Sequence, residues 1–238
     1  MLTEKKLREF IAPLSKAKEK QDANISVPPS LDYKSFIPPH VTDELNKHQC
    51  LERFIKESEL LGTSIRHATK HTLQEQIISM ISECAYTNIL IEANPLFSVQ
   101  ACEQAAQSHS YKVSIQQWDH TKGREYNIKC ASEADVGITY AQYGIAETGT
   151  IIQTCSENCG RSISLLPTMH IACLYASNIV SNMTEALQKC ADDAAQSGMM
   201  LPSQICCITG PSNTADIELV RVEGVHGPNQ IGFIIIDD

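Results

Sequence analysis

Short apolar runs separated by segments of helical period constrain this chain more than any other feature. The runs are N-I-L-I-E (Asn88–Glu92), Val113–Gln116, Val136–Tyr140, Ile171–Tyr175, Ile205–Ile208 and the closing Gly232–Ile236. Strands that are apolar on both faces belong in a parallel sheet covered by helices. Ser64–Ala68 reads as a further strand. Between the runs the period changes to that of helices. Asp43–Leu61 places Leu51, Phe54, Ile55 and Ser58 on one face, and Gly62 is a natural stop. Thr72 can cap a second helix with a stripe of Leu73, Ile77, Ile78 and Ile81. Val99–Ser108 and Lys122–Ala131 read as helices, and Asn182 opens another, with Glu185 at capping-box spacing and Gly198 at its end. Ile145–Thr154 is strand-like on both sides of Glu147, which suits an antiparallel hairpin. Thr214–Val220 reads as a strand or a short helix. The pattern predicts an α/β fold, an open and mostly parallel sheet with helices on both faces.

The first forty residues differ from the rest. Leu2–Lys20 reads as helical and is strongly charged, and V-P-P-S (Val27–Ser30) and I-P-P-H (Ile37–His40) exclude a continuous helix. Residues 1–40 therefore read as an N-terminal helical arm with a Pro-rich connector, and residues 41–238 as one domain. The arm packs on the body or on another subunit of a homo-oligomer; a partly ordered terminus fits the pattern equally well. The chain has 238 residues, enough for a substantial core.

A net charge of −9 argues against a general nucleic-acid binder and against an electrostatic membrane anchor. No apolar run reaches the roughly 20 residues of a membrane span. The start, M-L-T-E-K-K-L-R-E-F, has no signal-peptide core, so a cytoplasmic protein is expected. Most of the ten cysteines lie in apolar segments, where a thiol behaves as a small hydrophobe. Cys155 and Cys159, in C-S-E-N-C, lack a second pair at zinc-ligand spacing, and there is no iron–sulfur motif. No metal and no cofactor are expected in this chain.

Chemistry concentrates between Asp135 and His170 and again at Thr209–Glu218. Glu147 lies between apolar runs and is followed by Thr148, Gly149 and Thr150. It could act as a nucleophile, as a general base toward a 2-hydroxy acid, or as a structural acceptor of loop N–H groups. Arg161 and His170 flank S-I-S-L-L-P. The guanidinium suits two-point binding of a carboxylate or phosphate, or a salt bridge to Glu147 or Asp216. His170 is either a ligand contact or a core histidine. Thr209, Gly210, Ser212, Asn213 and Thr214 follow a strand and supply hydroxyls and free N–H groups for an anion; a plain capped turn is the alternative. Asp216 and His226 could line the same cleft. If the sheet is doubly wound, Glu147, the Thr209 loop and the His226 turn converge beyond the carboxyl ends of its strands.

The motifs G-I-A-E-T-G-T-I, R-S-I-S-L-L-P-T-M-H-I, T-G-P-S-N-T-A-D-I-E-L-V and G-V-H-G-P, in this order, resemble the LUD-domain family from about Asp43 to Asp238. The resemblance implies a Rossmann-like α/β fold akin to the sugar isomerase, CoA-transferase and folate cyclo-ligase group. It also implies a part in oxidising L-lactate to pyruvate, alongside lactate utilization partners that carry the iron–sulfur clusters. A component that binds a small anionic ligand is the first reading. The others are a CoA-transferase-like or cyclo-ligase-like enzyme using Glu147, and a pure assembly module.

Overall fold

Helices and strands alternate through the first half of the domain: α1 (Lys47–Leu60), β1 (Ser64–Ala68), α2 (Leu73–Glu83), β2 (Asn88–Ile91), α3 (Val99–Ser108), β3 (Ser114–Gln117), α4 (Gly123–Glu133) and β4 (Val136–Tyr140). Then come β5 (Tyr143–Ile145), β6 (Thr150–Thr154), α5 (Ser162–Leu165), β7 (Met169–Tyr175), β8 (Ile179–Val180), α6 (Met183–Gln196), β9 (Ile205–Thr209), β10 (Asn213–Thr214), β11 (Val222–Glu223) and β12 (Gln230–Ile236). The computed structural model describes residues 45–198, 200–214, 222–223 and 226–237. They fall in the unit Asp43–Asp238. The arm expected over residues 1–40 lies outside the described residues, as does most of the segment expected at Thr214–Val220.

Six strands form the main sheet in the order β1-β12-β7-β4-β2-β3. Every neighbouring pair is parallel. The α/β class read from the apolar runs is therefore the fold observed. A second sheet, β8-β5-β6-β9, was not legible as a unit. It contains the expected hairpin: β5 and β6 pair antiparallel around Glu147, with β9 antiparallel on β6.

Of the four buried clusters among the described residues, the two largest hold the layers of the main sheet. On one face, Leu73, Ile77, Ile78 and Ile81 of α2 and Cys102 and Ala106 of α3 pack on Ile89, Ile91, Ile138, Ile171 and Ile234. Each fully buried aliphatic side chain of this kind contributes about 1.5–3 kcal/mol. On the other face, Cys50 and Phe54 of α1 meet Ala172, Leu174, Phe233 and Ile235, and the small sheet joins through Ala146 and Ile151. The Phe54 and Phe233 rings stack with centroids 5.6 Å apart. Ala131 of α4 and Ile163 of α5 cover Leu90 on the same side.

Local expectations fared unevenly. Asn46 and Gln49 cap α1 reciprocally at 3.0 Å each, and Gly62 turns at φ +83° beyond it. Thr72 makes no cap hydrogen bond into α2. Its hydroxyl instead accepts the Thr69 N–H at 3.0 Å, closing a turn backwards. Asn182 does cap α6, but the Glu185 carboxylate accepts the Ser181 N–H and hydroxyl rather than the N–H of Asn182 itself. β9 is half-buried rather than buried, because it is the edge of the small sheet. β3, the edge of the large sheet, is likewise mostly exposed. All ten cysteines are free thiols. No helix among the described residues is long and apolar enough to cross a membrane.

Candidate functional site

The expected site residues separate into three places. Glu147, Thr148, Gly149, Thr150, Thr209, Gly210, Ser212 and the His226 turn form one contiguous group. Thr150 Oγ1 lies 2.7 Å from both Thr148 Oγ1 and Thr209 Oγ1. The Ser212 N–H donates to Pro228 O at 2.8 Å, tying the Thr209 loop to the turn that carries the exposed His226. Asn213 is exposed and donates from Nδ2 to Pro211 O at 2.8 Å. Thr214 is the second residue of β10, and Asp216 lies outside the described residues.

This group sits at the amino ends of the large-sheet strands, not at their carboxyl ends. Gly149 packs on the last turn of α1, just ahead of β1, and the His226 turn precedes β12. Gly149 has φ +60°, and a Cβ there would stand 2.6 Å from the Ser58 nitrogen, so the turn needs glycine for both shape and closeness. The hydroxyl chain and the packing on α1 give these residues a structural role that requires no ligand. Glu147 itself is half-buried; its N–H donates to Ser181 O at 3.1 Å, and its carboxylate pairs with no described residue.

His170 is elsewhere. It lies inside the large sheet, fully buried, with Nε2 2.8 Å from Thr139 Oγ1. Burial pushes its pKa down to about 3, so the ring is neutral. It lines no cleft and reads as a core histidine. Arg161 is in a third place, on the loop between β6 and α5, and forms no ion pair among the described residues; the expected bridge to Glu147 is absent.

The carboxyl edge of the large sheet holds a polar centre that the motifs did not reveal. After β2 the chain passes to α3 on one face, and after β4 it passes to the small sheet on the other. The crevice between β2 and β4 is thus the topological switch point, where open α/β sheets bind ligands. Glu92 stands in it, 6% exposed. Its Oε2 accepts the Tyr140 N–H at 2.7 Å and its Oε1 accepts Asn94 Nδ2 at 3.2 Å. The Cys159 thiol is also hydrogen-bonded to it, and Gln153 Nε2 donates to that sulfur at 3.1 Å. Burial raises the pKa of Glu92, although the Tyr140 N–H, Asn94 and Cys159 all pull it down. Burial and the Glu92 charge push the Cys159 thiol up, so it is a neutral donor.

Two clefts open along this edge. The first, about 370 Å³, is lined by Lys70, Asn94, Pro95, Leu96, Tyr140 and Tyr175. Tyr140 and Tyr175 meet edge to face with centroids 6.1 Å apart. Lys70 Nζ lies 5.2 Å from the Tyr175 centroid, and Asn178 Nδ2 donates to the Tyr140 hydroxyl at 3.1 Å. Asn94 joins the cleft to the buried Glu92. The second cleft, about 340 Å³, lies beyond β3 and contains Arg161. The loop between β6 and α5 is pinned at both of its neighbours here: the Ala93 N–H donates to Asn158 O at 3.1 Å, and Trp118 Nε1 donates to Glu157 O at 2.8 Å. Among the described residues, no group of three or more His, Cys, Asp or Glu side chains could hold a metal ion.

Residues 51–236 match the LUD domain. The chain belongs to the LUD domain family. A lactate utilization protein C of Halalkalibacterium halodurans is 34% identical over 198 residues, covering 83% of this chain and 84% of that protein. The Bacillus subtilis protein of the same name is 47% identical over 124 residues, 52% of this chain and 51% of its own. An uncharacterized protein of Escherichia coli, YkgG, is 34% identical over 82% of this chain and 83% of its length. The crystal structure of a DUF162 family protein from Deinococcus radiodurans superposes with a TM-score of 0.54 at 21% identity, over 81% of this chain and 99% of that one. That likeness supports the fold. Within this LUD domain, the centre at Glu92 was hidden because its parts come from separate strands: Glu92 and Tyr140 stand 48 positions apart. The one signal on offer was an acid closing the apolar run N-I-L-I-E.

Proposed function

We propose that this LUD domain chain is a component of an iron–sulfur-dependent system that oxidises L-lactate to pyruvate, and that it binds a small carboxylate in the Lys70 cleft. The similarity to lactate utilization protein C over 83% of the chain carries this reading. The cleft supports it chemically. The Lys70 ammonium, on an exposed residue, offers a positive charge to a carboxylate. Asn94 and the Tyr140 and Tyr175 hydroxyls offer hydrogen bonds to a hydroxyl or oxo group beside it. Oxidation of lactate releases a pair of electrons and a pair of protons. In this reading the electrons go to the clusters of partner proteins, and this chain contributes binding and docking.

Deleting the chain should abolish growth on L-lactate while sparing growth on pyruvate, and the tagged chain should co-purify with cluster-containing partners. Restoring Lys70→Ala should leave lactate-dependent dye reduction in lysates reduced by about tenfold or more, as loss of a charged hydrogen bond does. Normal lactate growth of the deletion strain, with no cluster protein retained, would defeat the reading.

A further inference from the structure

We propose that the cleft beyond β3 binds a nucleotide-like ligand, a phosphoryl group joined to a planar body, with Arg124 and Arg161 on the phosphate and Trp118 beside the plane. The cavity of about 340 Å³ lies within the range of small-molecule sites. Two guanidiniums reach it from different elements, Arg124 from the first turn of α4 and Arg161 from the loop ahead of α5, and His120 adds a third basic group. None of the three forms an ion pair among the described residues, and Glu157, the single acid lining the cleft, pairs with neither arginine. The chain as a whole carries a net charge of −9. Unpaired guanidiniums at one cavity of an acidic protein mark a place for an anion from outside. A lone carboxylate is served by one arginine fork; two forks and an imidazole match the extra oxygens and charge of a phosphate.

The planar half of the ligand rests on Trp118. Its indole cannot swing: Nε1 donates to Glu157 O at 2.8 Å, and a Cβ on Gly160 would lie 2.3 Å from the edge of its six-membered ring. The loop that delivers Arg161 therefore also locks the ring. A fixed, half-exposed indole is a stacking surface ready before the ligand arrives. This assignment stands apart from the lactate reading and concerns the other cleft.

Trp118 is the only tryptophan of the chain, so its emission reports on this cleft alone. The full chain is titrated with ADP and with inorganic phosphate, by fluorescence and by calorimetry in parallel. ADP is expected to bind saturably, about tenfold tighter than phosphate because the base stacks. The double variant Arg124→Ala/Arg161→Ala, both exposed positions, should weaken ADP by about tenfold or more while its thermal unfolding stays unchanged. No heat and no emission change with ADP would overturn the proposal. So would equal affinity for ADP and phosphate, or undiminished binding by the double variant.

Discussion

His170 illustrates how a single buried group ties stability to pH. The ring is neutral in the fold, with a pKa of about 3, whereas an unfolded histidine titrates near 6.5. As pH falls below that unfolded value, the unfolded chain takes up a proton that the native ring refuses, so native stability drops. The loss runs at about 1.4 kcal/mol per pH unit and continues until the folded pKa is passed. Urea unfolding measured between about pH 7 and pH 5 should show this slope. Replacing the pair, Thr139→Val with His170→Leu, removes both the titrating ring and its hydroxyl partner, and should flatten that limb. An unchanged slope in the double variant would assign the acid sensitivity to other groups. Glu92 behaves in the opposite sense. Burial raises its pKa, so the stability it contributes is lost as pH rises rather than as it falls, and the Tyr140 N–H, Asn94 and Cys159 offset part of that cost as donors. His170 was open in the sequence to both a ligand and a core role, because an apolar run flanked by a histidine looks the same in either case. Burial alone decides it.

At the scale of elements, close approach separates two glycines that look alike in the sequence. Gly149 and Gly198 both have positive φ, +60° and +64°. A methyl group at Gly149 would strike the backbone of Ser58, whereas one at Gly198 meets nothing within 4 Å. Gly198→Ala should therefore cost only the left-handed penalty, about 1–2 kcal/mol. Gly149→Ala should add about 1–3 kcal/mol for overpacking, since the hairpin must lift off α1. Chemical denaturation of the two variants distinguishes them, and equal losses would contradict the packing of the turn on α1. The elements themselves were largely legible. β1, α3 and β4 match their expected bounds, because alternation and helical period are local properties. Thr72 and Glu185 were misjudged because a side-chain oxygen can serve any nearby N–H, and spacing does not choose among them. The grouping of Glu147 with the Thr209 loop was also legible in outline, since strand ends meet where strands pair. Which end of the large sheet they would occupy was not, because that depends on how β5 turns back over α1.

For the whole molecule, the two sheets share one core. Ala146 and Ile151 of the small sheet pack in the same cluster as Phe233 and Leu174 of the large one. Heat or urea should therefore unfold the domain in one step, with Trp118 emission and far-ultraviolet circular dichroism tracing a single transition. Separate midpoints would mean that the small sheet melts alone. The same topology has a consequence for synthesis. Among the described residues, β1 stands at the sheet margin and bonds only to β12, Ser64 facing Gly232 and Ala68 facing Ile236. A ribosome delivers one of these partners at the start of the domain and the other after every intervening strand. Until translation reaches β12, β1 has no neighbour and β7 keeps a bare flank, the kind of open ladder that recruits other nascent chains. A product that ends before β12 would leave that gap for good, so loss of this one strand should send the protein to aggregates or proteases rather than leave it slightly shortened.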